Sequence, residues 1–212
     1  MHQPFNASIF RTHRAHCSNC RSPARRSTGF SLIEVLVSIV VLSVGLLGMV
    51  GMQATALQSN REARGQSVAV VMGRELAEAI RGNRAEGIKP IASNPYLGSF
   101  SSPMVPTAAS YCLNVAAAAA CANATAIANA QMTEWLSRVD SELPGARVDI
   151  CFDSAPFDSN GIPRWACDNS GGILVIKIGW TRGSTDKTKT GNAALERAAI
   201  PSLVLPVTAG AT

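Results

Sequence analysis

The sequence predicts an α+β protein, with one long N-terminal helix laid on a small antiparallel β-sheet. Three features carry that expectation. No charged residue lies between Glu34 and Arg61, and Val35–Met52 is an apolar run broken only by Ser and Gly. Beyond it, apolar residues keep a three-and-four spacing that fits one helix face. Near the C-terminus, segments 147–152, 173–180 and 202–205 read as short strands.

The chain opens with a basic leader, residues 1–29. It holds Arg11, Arg14, Arg21, Arg25 and Arg26 and no acidic residue. The leader ends at Gly29-Phe30-Ser31-Leu32-Ile33-Glu34, and the apolar run follows at once. A helix rises about 1.5 Å per residue, so about 20 such residues cross a bilayer core. A plain signal anchor would explain the basic flank and the apolar run, but not Glu34. A cleaved secretory signal could end near Ala54-Thr55-Ala56. Its apolar core would then exceed the usual length of about 7–15 residues and would start beside a carboxylate.

This arrangement resembles the N-terminus of type IV prepilins and pseudopilins. The resemblance rests on Gly29, Phe30, Glu34 and the apolar run, all at the family spacing. It implies cleavage after Gly29 by a prepilin peptidase, N-methylation of the new terminal residue Phe30, and an assembly role for the charge of Glu34. The leader is long for a member whose mature chain begins with Phe.

Charge and cysteine usage fit a processed membrane protein. The whole chain carries +5, from 19 basic and 14 acidic residues. Without the leader arginines the two signs balance, so the high pI gives no reason to expect nucleic-acid binding. Positive charge ahead of a span marks the cytoplasmic side. The C-terminal body is then expected in a periplasm-like space, with the chain anchored once in the inner-membrane lipid. Two Cys fall in the leader, and four fall in the body: Cys112, Cys121, Cys151 and Cys167. Four Cys allow three pairings, and an oxidising compartment favours forming them. The nearest-neighbour pairing, Cys112–Cys121 with Cys151–Cys167, closes two local loops and is the expectation. The alternative leaves one pair reduced, as small apolar core residues.

Residues 30–82 are expected to be one helix, with 30–53 crossing the membrane. Its second half carries Leu57, Val68, Val71, Met72, Leu76, Ala79 and Ile80 at helical spacing, with Arg61, Arg64, Arg74 and Arg81 on other faces. Gly82 is the expected stop, with Gly87 and Pro90 beyond it. Gly45, Gly48 and Gly51 permit either close helix packing or local melting, or reflect the general frequency of Gly in membrane helices.

Residues 83–212 are expected to form the globular body. Segment 83–111 reads as an irregular connection, and the Ala-rich 116–130 has no clear assignment. Met132, Trp135, Leu136, Val139 and Leu143 mark one face of a helix, which Pro144-Gly145 ends. Arg147–Phe152 alternates as a half-buried strand. Ile173–Trp180 is the strongest strand, and Ser202–Leu205 is an edge strand between Pro201 and Pro206. Thr185–Gly191 reads as a polar hairpin-like loop.

Few residues suggest chemistry. His13, His16, Cys17 and Cys20 resemble a zinc cluster, but His16 and Cys17 are adjacent and the leader is to be removed, so no metal site is expected. All three His precede Phe30, which deprives the mature chain of the commonest general base. Asp158-Ser159-Asn160-Gly161 reads as a surface turn, because the full calcium ligand series is missing. The three Trp are expected in the core. No phosphate loop or His-based triad is present, so no enzyme activity, catalytic residue or cofactor is expected.

Downstream, Glu34–Ser38, Leu46-Leu47-Gly48-Met49, Trp135-Leu136, Leu143-Pro144-Gly145, the Cys151 strand and the Trp180 strand resemble minor pilins of the PilV type. That resemblance implies a subunit that primes type IV pilus assembly and sits at or near the tip. Its partners would be other minor pilins, the major pilin and a large PilY-type tip adhesin. A type II secretion minor pseudopilin, and a membrane-anchored binding protein outside any filament, are the alternatives.

Overall fold

The computed structural model describes residues 29–89, 93–170, 173–184, 186 and 188–208. The leader arginines, the His13–Cys20 cluster, Pro90, and Thr185 of the expected polar loop lie outside the described residues. The chain divides into two compact units, Met1–Met49 and Val50–Thr212.

In the first unit the described chain is the start of helix α1 (Leu32–Gly82). Ser31 opens it: its carbonyl accepts from Glu34 N at 3.0 Å and Val35 N at 3.2 Å, and its Oγ accepts from Ile33 N at 3.4 Å. The apolar side chains that follow are all exposed.

In the second unit α1 buries Ala69, Met72, Gly73, Leu76, Ala77 and Ile80, a clean three-and-four stripe. The stripe is turned from the one read by hydrophobicity alone. Val71 and Leu57 stay exposed, and the small residues Ala69, Gly73 and Ala77 face inward. Close approach decides this. A Cβ on Gly73 would stand 3.3 Å from Leu203 Cδ2 and 3.4 Å from Leu205 Cδ2. After the expected stop at Gly82 comes a single turn, α2 (Arg84–Gly87).

Helix α3 (Ala124–Glu142) extends the helical segment seen in the sequence back through its Ala-rich part. Asn123 starts it, its side-chain oxygen accepting from Ala126 N at 2.8 Å. It packs Met132, Trp135, Leu136 and Val139 into the core. Trp135 Nε1 donates to Met72 O at 2.9 Å, which fixes α3 against α1.

The sheet has four antiparallel strands in the order β1-β2-β3-β6. They are β1 (Gly98–Ser101), β2 (Arg147–Phe152), β3 (Leu174–Gly179) and β6 (Leu203–Val207). This is the expected α+β architecture, with β6 at an edge. Strand β1 falls in a segment expected to be irregular; it is four residues long, and its sequence Gly-Ser-Phe-Ser offers little alternation. Strands β4 (Arg182–Gly183) and β5 (Leu195–Glu196) form a separate ribbon around the polar loop.

Val148, Ile150, Leu174, Ile176 and Ile178 join the core cluster with α1 and α3. The opposite face of the sheet carries Asp149, Cys151, Val175 and Lys177. It too is buried, so β2 is more deeply enclosed than its alternation suggests. Segment 153–170 covers it.

Candidate functional site

The junction motif lies at the N-terminus of α1. Gly29 and Phe30 precede the helix, and Phe30 is 83% exposed. Glu34 falls in the first turn, where the helix dipole favours a carboxylate. Beyond it Leu36, Val40, Leu47 and Val50 are all more than half exposed, and the helix is long and apolar enough to cross a membrane.

Three hydroxyls of this stretch are satisfied within the helix. Ser38 Oγ donates to Glu34 O at 2.7 Å, Ser43 Oγ to Ile39 O at 2.6 Å and Thr55 Oγ1 to Gly51 O at 3.2 Å. Back-bonding of this kind leaves no hydroxyl donor to be paid for in an apolar medium. A Cβ on Gly45, Gly48 or Gly51 would meet nothing within 4 Å. No packing among the described residues requires those glycines.

In the body, the four Cys stand in two pairs at bonding distance. Cys112 and Cys121 have sulfurs 1.95 Å apart, and Cys151 and Cys167 have sulfurs 1.94 Å apart. The first closes the Ala-rich loop in front of α3. The second ties the end of β2 to segment 153–170. The Asp158 loop is a turn: Asp158 Oδ1 accepts from Asn160 N and Ile162 N, each at 2.8 Å, and Gly161 has φ 78°. Its carboxylate is thus engaged by the backbone. Trp135 and Trp180 are in the core, while Trp165 lies half-buried over the outer face of the sheet.

One arrangement was not foreseen. Lys177, in the middle of β3, is fully buried, and its Nζ meets Asp153 Oδ2 at 2.5 Å. It also donates to Ala166 O at 2.8 Å and Trp165 O at 3.4 Å. The signal was a lone cation within Ile-Leu-Val-Ile-Lys-Ile-Gly-Trp. Nothing local pointed to its partner, which lies 24 residues earlier. Donor atoms of Cys151, Asp153 and Cys167 lie within 4.8 Å of one another. Both sulfurs are spent in the disulfide and Asp153 is held by Lys177, so this cluster is not a metal centre. Elsewhere Asp168 is held below the usual carboxylate range, first by the Ser154 hydroxyl and then by Ser170 N. It therefore staples segment 153–170 to itself.

Compared with known proteins, the chain matches no curated protein and no solved structure. Its N-terminal part does match a family model, that of the prokaryotic N-terminal methylation motif, over residues 24–50. The motif implies processing by a prepilin peptidase and assembly with other pilins in general, and it marks structural proteins rather than enzymes. The chain therefore carries the N-terminal methylation motif of type IV pilin-like prepilins.

Proposed function

We propose that this chain is a minor pilin of the PilV type. In this reading it is cleaved between Gly29 and Phe30 and methylated on the Phe30 amine. It rests in the inner membrane through residues 30–53, with the leader cytoplasmic and the body, residues 83–212, periplasmic. It then enters the pilus with other minor pilins, primes assembly, and sits at or near the tip beside a PilY-type adhesin. Glu34 supplies the assembly charge, and both disulfides close in the oxidising space.

The observation that carries this reading is the methylation motif on a helix whose apolar side chains from Leu32 to Met52 are exposed among the described residues. Such a surface must be covered by lipid or by similar helices. The basic flank supports the orientation.

The test is intact-mass measurement of the protein from a cell that expresses a prepilin peptidase. The expected species lacks residues 1–29 and carries one added methyl group. A chain still bearing residues 1–29 would overturn the reading. Gly29→Leu should insert but stay uncut, because only Gly lets the backbone approach a protease groove without a Cβ. Recovery of the mature chain in sheared pili, against its loss from pili of a strain lacking the other minor pilins, tests the assembly role.

A further inference from the structure

The outer face of the sheet is built differently from the core. The core cluster takes its buried apolar residues from α1, α3, the four strands and their flanking segments, and none from segment 153–170. That segment is a thin cover. Ala166, Asp168, Asn169 and Ser170 are exposed, and Trp165 and Cys167 are only half-buried. Yet beneath it lies a fully buried lysine, paired with the fully buried Asp153 at the start of the segment.

The cover is held at few points. Trp165 stacks under Arg147, whose guanidinium carbon is 4.3 Å from the ring centroid, and donates from Nε1 to Ala198 O at 3.3 Å. Lys177 takes the carbonyls of Trp165 and Ala166. Cys167, the residue next to Ala166, is bonded to Cys151 on β2. Most of the remaining hydrogen bonds of the segment run within it, as from Arg164 Nε to Ala155 O and from Ser154 N to Asp168. They shape the segment but do not attach it to the sheet.

The disulfide and the lysine are therefore coupled. The bond at Cys167 holds the two carbonyls that complete the shell of Lys177. With the bond open, those carbonyls are free to leave, and Lys177 keeps Asp153 alone. A buried ion pair whose remaining donors lose their acceptors is strongly disfavoured against admitting water. The core has no such dependence, since its side chains are buried on the other face and the ladder hydrogen bonds run in the plane of the sheet.

We propose that Cys151–Cys167 is a local redox latch. Its reduction releases segment 154–170 from the outer face of the sheet and exposes Lys177, while Asp153 stays in place, its N donating to Ile173 O, and the core between the sheet and the helices stays folded. In the reduction, the disulfide takes two electrons and two protons from a dithiol, which closes to its own cyclic disulfide, and two cysteine thiols result. The body thereby carries a surface layer that closes only in an oxidising compartment. This stands whether or not the chain enters a pilus.

The experiment uses the full chain in detergent micelles. A Cys112→Ser/Cys121→Ser variant leaves Cys151–Cys167 as the only body disulfide, and it is compared with and without a dithiol. Lysines are labelled with an acetylating reagent, and Lys177 is quantified by peptide mass spectrometry against Lys89 and Lys189, which both lie toward solvent. Hydrogen exchange is followed in parallel on α3 and β2–β3 peptides. On reduction, Lys177 labelling should rise at least about tenfold while those peptides keep their protection, as local rather than global opening requires. Cys151→Ser/Cys167→Ser should show the same pattern with no reductant. Unchanged Lys177 labelling on reduction would overturn the proposal. So would loss of protection in α3 and β2–β3 together with Lys177 exposure, because the bond would then hold the whole body.

Discussion

At the scale of residues, Glu34 occupies a place with two different demands. In the first turn of α1 a carboxylate gains about 0.3–1 kcal/mol from the helix dipole. Deep in a bilayer or among apolar helices, a charge costs about 2.5–3.5 kcal/mol on insertion scales and is rarely left unpaired. In the proposed reading the amine of Phe30, four residues away, or that of a neighbouring subunit is the partner, and methylation would keep its charge. Glu34→Ala is accordingly expected to insert and to be cleaved normally but to be depleted in sheared pili. An immunoblot showing normal incorporation would remove the pairing role. Gly145 illustrates a backbone demand. It holds φ 58° after α3, and a Cβ there would collide with Thr181 Oγ1. Gly145→Ala should cost about 1–2 kcal/mol from the left-handed conformation alone. A thermal melt of the full chain in detergent reads it as a lowered midpoint, with no effect on cleavage at Gly29.

At the scale of elements, the buried pair between β3 and segment 153–170 gives a sharp prediction. Lys177→Met leaves Asp153 enclosed without its partner, and loss of one partner of a buried pair costs about 3–5 kcal/mol. Lys177→Met with Asp153→Leu should recover most of that loss. Urea unfolding followed by Trp fluorescence would measure the cycle, and equal losses in the single and double variants would show that the pair is not the cause. Legibility followed the range of the forces involved. Strands β2 and β3 and the stop at Gly82 were readable because local pattern and turn chemistry agree there. Strand β1 was not readable, because its four residues become a strand only through the ladder that Val148 and Ile150 offer. The inward face of α1 was misjudged at Val71 and Gly73, since at Gly73 closeness to Leu203 and Leu205 counts for more than hydrophobicity. The junction motif could be read because its spacing is local. The Lys177 shell could not, because its acceptors come from residues 153, 165 and 166.

At the scale of the molecule, every member of the core cluster lies at or beyond Ala69. The exposed apolar part of α1 contributes nothing to that core. A chain lacking residues 1–52 is therefore expected to fold in water without detergent and to melt cooperatively by far-ultraviolet circular dichroism. A non-cooperative melt of that fragment would mean that the N-terminal segment supports the body after all. Strand β6, for its part, ends the sheet and carries Pro206 within its paired length. Proline has no N–H to offer, and in sheets it occurs where that loss falls on the open side. The outermost backbone of the sheet thus presents an interrupted row of donors to any second molecule. Chains confined side by side in two dimensions meet far more often than chains in solution, and a continuous row would invite them to zip together strand on strand. The interruption at Pro206 guards against that form of aggregation.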